Sequence, residues 1–180
     1  AEALSTYQRA LAAQEALGDK RGAARTLGYL GILRRKLGDY EAALGAFERA
    51  LTIQEEVQDR QAAAGTLGQI AVVSDLIGDA ERALALYRRA LERQEAIRDK
   101  AAVAVTLGNI GLLHQRLGEE APAIAALSRA LECAESVGLP RVQIDLHERL
   151  GAFHQAQERP GAALQAYERA LALLEDAPGK

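Results

Sequence analysis

Leu30-Gly31-Ile32-Leu33-Arg34-Arg35-Lys36-Leu37-Gly38-Asp39-Tyr40-Glu41-Ala42-Ala43-Leu44-Gly45-Ala46-Phe47-Glu48-Arg49-Ala50-Leu51 decides the fold. Leu27, Leu30, Gly31, Arg34 and Leu37 keep the 3-and-4 spacing of one helical face, and Ala43, Leu44, Phe47, Ala50 and Leu51 resume it. Between the two patterns stand Gly38, placed to end a helix in the left-handed conformation, and Asp39, placed to open the next turn. The stretch therefore reads as two amphipathic helices joined by a tight link. A single pair of this kind cannot bury its apolar face alone, so pairs must stack.

Working outward, the same pattern recurs at a fixed step of 40 residues. Thr26-Leu27-Gly28 returns as Thr66-Leu67-Gly68 and Thr106-Leu107-Gly108. Arg9-Ala10-Leu11, Arg49-Ala50-Leu51, Arg89-Ala90-Leu91, Arg129-Ala130-Leu131 and Arg169-Ala170-Leu171 keep the same step. Asp19, Asp59 and Asp99 stand where first helices begin and read as N-caps. Pro140 and Pro160 take first-turn positions, where a missing N–H does no harm. These signals predict nine helices: a lone second helix over 1–17, then pairs over 21–57, 61–97, 101–137 and 141–175. The fold class is all-α, a right-handed α-solenoid of antiparallel helix pairs running through 1–180. The unpaired first helix and a chain that opens on Ala without Met predict a piece of a longer protein.

Composition agrees and excludes several function classes. Of the residues 49% are apolar, yet only two Phe, five Tyr and no Trp are present, so Ala and Leu supply the close helix packing. A net charge of −3 gives no global footprint for nucleic acid. One cysteine, Cys133, excludes an internal disulfide framework and reads as a partly packed free thiol. No apolar run approaches the roughly 20 residues of a membrane span and no leader opens the chain, so the expected setting is cytoplasmic, with no membrane partner. His114 and His154 share one column and read as packed or rim side chains. His147-Glu148 lacks a second histidine at 151, which is Gly, so no metal site is expected. No nucleophile, base and orienting group can be aligned. We expect no enzyme activity and no cofactor.

Leu30-Gly31…Gly38-Asp39-Tyr40…Ala43…Phe47…Ala50 resembles the tetratricopeptide (TPR) signature. Ile70-Ala71…Gly78…Ala83…Tyr87…Ala90 and Ile110-Gly111…Gly118…Ala123…Leu127…Ala130 follow it less closely, and Leu150-Gly151…Ala163…Tyr167…Ala170 has Glu158 at the turn glycine. The 40-residue period resembles the subclass of Pins/LGN, kinesin light chain and bacterial multidomain regulators. The resemblance implies that first helices line a concave groove and that Gly31, Ala71, Gly111 and Gly151 let paired helices approach. It places Ile32, Val72, Leu112 and Ala152 in the groove as an apolar strip, over bare backbone at Gly28, Gly68 and Gly108. Tyr29, Gln69, Asn109 and Arg149 form a polar column beside it, and Arg35 belongs to another column nearer the far end. Arg25, Arg34, Arg35 and Lys36 make the first copy locally basic. The expected partner-binding residues are Arg25, Tyr29, Ile32, Arg35, Gln69, Val72, Asn109, Leu112, Arg116 and Arg149, and the expected ligand is a protein or peptide. Three readings stay open: a scaffold gripping a peptide or helix, a regulatory arm of a multidomain signalling protein, and a module self-associating through its ends. The last rests on Leu164, Tyr167, Leu171 and Leu174, which no following helix covers.

Overall fold

The structure is a computed structural model that describes residues 2–176, and among them it holds nine helices and no strand. They are α1 (Glu2–Ala16), α2 (Lys20–Lys36), α3 (Tyr40–Glu56), α4 (Arg60–Leu76), α5 (Ala80–Ala96), α6 (Lys100–Arg116), α7 (Glu120–Ser136), α8 (Pro140–Ala156) and α9 (Pro160–Glu175). The chain divides into two compact units, Ala1–Ile97 with α1 to α5 and Arg98–Lys180 with α6 to α9. From α2 to α8 each helix has 17 residues and each link has three, so two helices and two links make the 40-residue period.

Backbone hydrogen bonds hold the three-residue links against the helix ends. Gly38 N donates to Arg35 O at 3.1 Å and Asp39 N to Arg34 O at 3.0 Å, which closes the end of α2. The Asp39 side chain then accepts from Ala42 N and caps α3. Asp19, Asp59, Asp79 and Asp99 cap α2, α4, α5 and α6 in the same way. At Glu119, Leu139 and Arg159 no side chain caps the helix, and Pro140 and Pro160 instead begin α8 and α9 in the first turn.

This link requires a left-handed residue at its second position. Gly18, Gly38, Gly78, Gly118 and Gly138 supply it at φ between 64° and 87°, but Gln58, Arg98 and Glu158 are forced to φ of 55–58°. A side chain in that region costs about 1–2 kcal/mol. Gln58→Gly, Arg98→Gly and Glu158→Gly should each therefore raise stability by about 1 kcal/mol, read as a shift in urea midpoint. A midpoint unchanged in all three would show the links to be unstrained.

In the N-terminal unit, α1 to α5 pack in chain order and α2 also meets α4. One core cluster gathers Leu11, Ala23, Leu27, Leu30, Ala46 and Ala50, and a second gathers Ala43, Phe47, Ile70 and Val73. In the C-terminal unit α6 packs on α7, α7 on α8 and α8 on α9, with α6 also meeting α8. Its core includes Leu107, Leu113, Leu127, Leu146 and Phe153. The small column works as expected. A Cβ on Gly31 would lie 2.6 Å from the Phe47 ring, one on Gly111 2.6 Å from Leu127, and one on Gly151 2.6 Å from Tyr167. Ala43, Ala83, Ala123 and Ala163 are buried opposite them.

Candidate binding groove

The candidate residues divide between the units. Arg25, Tyr29, Ile32, Arg35, Gln69 and Val72 belong to the N-terminal unit, and Asn109, Leu112, Arg116 and Arg149 to the C-terminal unit.

In the N-terminal unit α2 and α4 are successive first helices, with the end of α3 between them. Together they form an open groove of about 610 Å³. Arg25, Gly28, Tyr29 and Ile32 of α2 face Gly65, Thr66 and Gln69 of α4 across it, and Gln54 of α3 completes the lining. Added Cβ atoms at Gly28 and Gly65 would meet nothing within 4 Å. Both glycines sit inside helices, where each costs about 1 kcal/mol relative to alanine, and no packing contact accounts for them. Gly45, equally open but outside the groove, cautions that bare backbone alone does not make a site.

Tyr29 is 46% exposed and its ring lies 5.6 Å from that of Tyr7. Ile32 and Val72 are half-buried, and Ile32 also packs on the Phe47 cluster, so the strip is part core and part surface. Arg25 is exposed, whereas Arg35 is half-buried with a buried Nε that has no hydrogen-bond partner. The local charge is one-sided: α2 carries Lys20, Arg21, Arg25, Arg34, Arg35 and Lys36 and no acidic residue.

The same columns behave differently in the C-terminal unit. Asp145, Leu146 and Arg149 of α8 stand where α4 has Gly65, Thr66 and Gln69. Leu146 covers Gly108, whose added Cβ would come within 2.9 Å of its Cδ2, so this glycine is buried rather than bare as expected from the sequence. Arg149 Nε pairs with Asp145 Oδ2 at 2.8 Å, and its Nη1 reaches Asn109 Oδ1 at 3.5 Å. What remains is a cleft of about 150 Å³. Two expected ligand contacts, Asn109 and Arg149, are thus already engaged with neighbours. Leu112 is half-buried and Arg116, closing α6, is exposed.

Elsewhere, His114 Nδ1 meets Glu119 Oε2 at 2.5 Å, His154 Nδ1 is buried without a partner, and the Cys133 thiol is half-buried. Among the described residues no three His, Cys, Asp or Glu side chains converge as a metal site requires, and no helix is long and apolar enough to cross a membrane.

The family description "tetratricopeptide repeat" matches residues 1–56 and 62–136, well over half of the chain. The chain belongs to the tetratricopeptide repeat family. No curated protein sequence matches this TPR chain significantly. Among solved structures it is similar to BtubC (BKLC) from P. vanneervenii, at 22% identity and a TM-score of 0.78, covering 99% of this chain and 76% of that one. It is also similar to the nearly identical TPR-like repeats of a Podosopora anserina putative kinesin light chain, at 13% identity and 0.72, covering 99% and 89%. A third likeness is to MamA 41-end from Desulfovibrio magneticus RS-1, at 17% identity and 0.63, covering 99% of each. Identities this low speak for the TPR fold alone. TPR repeats are generally non-catalytic and carry protein–protein interaction.

The sequence reading missed Gln54, which belongs to a second helix. Gln14, Gln54 and Gln94 recur at the TPR period, all with an Oε1 that has no hydrogen-bond partner. A polar residue recurring on an otherwise apolar inner face was the available signal. In the third TPR copy the column holds Ala134, and Gln143 Nε2 donates to its carbonyl oxygen at 3.2 Å.

Proposed function

We propose that this protein is an interaction scaffold whose N-terminal unit binds a segment of a protein partner in the α2–α4 groove. The observation that carries the reading is the open groove of about 610 Å³, which lies within the range of ligand-binding clefts. Arg25, Tyr29, Ile32 and Gln69 line it, with Val72 one turn beyond Gln69 and Arg35 one turn beyond Ile32. Apolar area flanked by hydrogen-bonding groups is what recognition of a peptide needs. In the C-terminal unit, Arg149 is held by Asp145 and reaches Asn109 Oδ1 at 3.5 Å.

The test uses the bare glycines. Gly28→Leu with Gly65→Leu places side chains in the groove at two positions where an added Cβ meets nothing within 4 Å, and the better helix propensity should raise stability by about 1 kcal/mol or more. Ligand binding should fall below detection in a titration while the melting temperature is kept or raised. Full binding by the filled variant would place the site elsewhere.

One observation favours a second interaction. Leu164, Tyr167, Leu171 and Leu174 form a stripe along α9, and all are exposed. Their counterparts on α7, Ile124, Leu127, Leu131 and Ala134, are buried or half-buried where α8 packs. Contiguous apolar surface of this kind marks an interaction site. We expect concentration-dependent association by light scattering and its suppression by Leu171→Glu. A wild-type chain that stays monomeric at high concentration would remove this reading.

A further inference from the structure

We propose that the N-terminal unit carries a smaller site, where the ends of α3 and α5 meet the start of α4, and that it takes a free aliphatic α-amino acid. Arg60 and Arg93 receive the carboxylate, Gln54 and Glu55 the ammonium, and Ala96 and Ile97 the side chain. The site is separate from the groove reading above and does not rest on it.

Two hollows adjoin there. One, of about 290 Å³, is lined by Gln54 and Glu55 from the last turn of α3, Asp59 and Arg60 at the start of α4, and Arg93 of α5. The other, of about 280 Å³, is lined by Arg60, Arg93, Ala96 and Ile97. Both volumes lie near the lower end of small-ligand clefts. Because the hollows share Arg60 and Arg93, the two cations stand between a polar space and an apolar one. Of these residues only Gln54 and Asp59 also line the α2–α4 groove.

Two groups at this place lack partners. Gln54 is 6% exposed, and its Oε1 accepts no hydrogen bond. Buried acceptors normally have a donor, and the soft terminal torsion of a glutamine lets its amide turn toward one. The exposed Arg60 side chain has no hydrogen-bond or ion-pair partner among the described residues, whereas Lys20, Arg49 and Arg82 each pair with a glutamate. The other charges are engaged: Arg93 Nη1 holds Glu55 Oε1 at 2.9 Å, and the Asp59 side chain accepts from Ala62 N. What is missing is one anion and one N–H donor. The helix ends set their places, since the negative pole of α3 beside Gln54 favours a cationic donor and the positive pole of α4 at Arg60 favours an anion. An α-amino acid carries ammonium, carboxylate and side chain on one carbon, which matches acceptor, cations and apolar wall. Among the described residues no acidic group lines the Ala96–Ile97 hollow, so an aliphatic side chain suits it better than a basic one.

The experiment titrates L-leucine, L-isoleucine and L-valine separately into the full chain in a calorimeter. At least one should bind saturably with a Kd of about 1 mM or tighter. Arg60→Gln removes the free cation at an exposed position, and Gln54→Met keeps the side-chain shape while removing the acceptor. Each should weaken binding at least about tenfold with the melting temperature kept. L-Leucinamide, which lacks the carboxylate, and N-acetyl-L-leucine, which lacks the ammonium, should bind at least about tenfold more weakly than L-leucine. The groove variant Gly28→Leu/Gly65→Leu should bind the amino acid like the wild type, so failure here and failure of the groove reading are told apart. No binding of any of the three at about 10 mM would overturn the proposal. Binding untouched by Arg60→Gln or Gln54→Met would overturn it too, as would equal binding of N-acetyl-L-leucine or loss of binding in the groove variant. Melting curves of every variant separate lost binding from lost folding.

Discussion

Gly31→Leu should lower the stability of the N-terminal unit by about 3 kcal/mol, the upper end of what overpacking costs. Even the first added carbon would stand 2.6–2.7 Å from three atoms of the Phe47 ring. That ring is 1% exposed and packed among Ala43, Ile70 and Val73, so it has no free volume to enter. The reverse change, Phe47→Ala, should cost about 3–5 kcal/mol, because it removes the largest side chain of that cluster and leaves a cavity. The internal repeats suggest the rescue. At the equivalent contact of the third copy, Gly111 faces Leu127, a smaller partner than Phe47. Gly31→Ala should therefore be less damaging when combined with Phe47→Leu than the two separate costs would add up to. A double-mutant cycle on urea midpoints reads this directly. Strict additivity, or a Gly31→Leu cost below about 0.5 kcal/mol, would mean that the helices are not in the close contact described.

Most of the fold could be read from the sequence because the same three decisions recur along most of the chain. Asp39 and its counterparts start a helix, Gly38 and its counterparts stop one, and the apolar spacing fixes the face. The expected helix bounds agree with those found to within a residue or two, since caps are local chemistry and do not depend on distant packing. Gln58 and Arg98 were less legible. The link imposes φ > 0 whatever residue occupies its second position, so neither side chain announces the strain it bears.

The site was legible only in part. Which columns line the groove followed from the period and the resemblance, but whether the groove is open depended on a few side chains. Gly65, Thr66 and Gln69 leave it open, whereas Asp145, Leu146 and Arg149 close most of the matching space in the other unit. Column analysis treats these residues as equivalent, and side-chain volume and pairing make them opposites. Gln54 escaped notice for a related reason. It comes from a second helix and enters the groove between two first helices, a relation that appears only once the helices are stacked.

The fourth copy carries one further departure, and it predicts how the C-terminal unit responds to acid. His147 stands in α8 where earlier copies have Leu27, Leu67 and Leu107, and it is 5% exposed. Burial pushes its pKa below the usual 6.5 and the cation of Arg169 pushes the same way, against the opposing pull of Glu135. The folded imidazole thus resists a proton that the unfolded chain accepts. Well above pH 6.5 the group is neutral in both states and has no effect on stability through protonation. As the pH falls through that value, the unfolded state gains the proton first and the C-terminal unit is progressively destabilised, until the folded side chain protonates as well. His147→Leu restores the residue of the other copies. It should remove this part of the pH dependence and raise stability near neutrality by about 1–2 kcal/mol, because a buried polar ring gives way to an apolar side chain. Melting temperatures of wild type and variant between about pH 8 and pH 5 test both points. His114 and His154 remain in the variant, so the difference between the two curves isolates His147. Parallel curves would show that the buried ring does not govern the acid response.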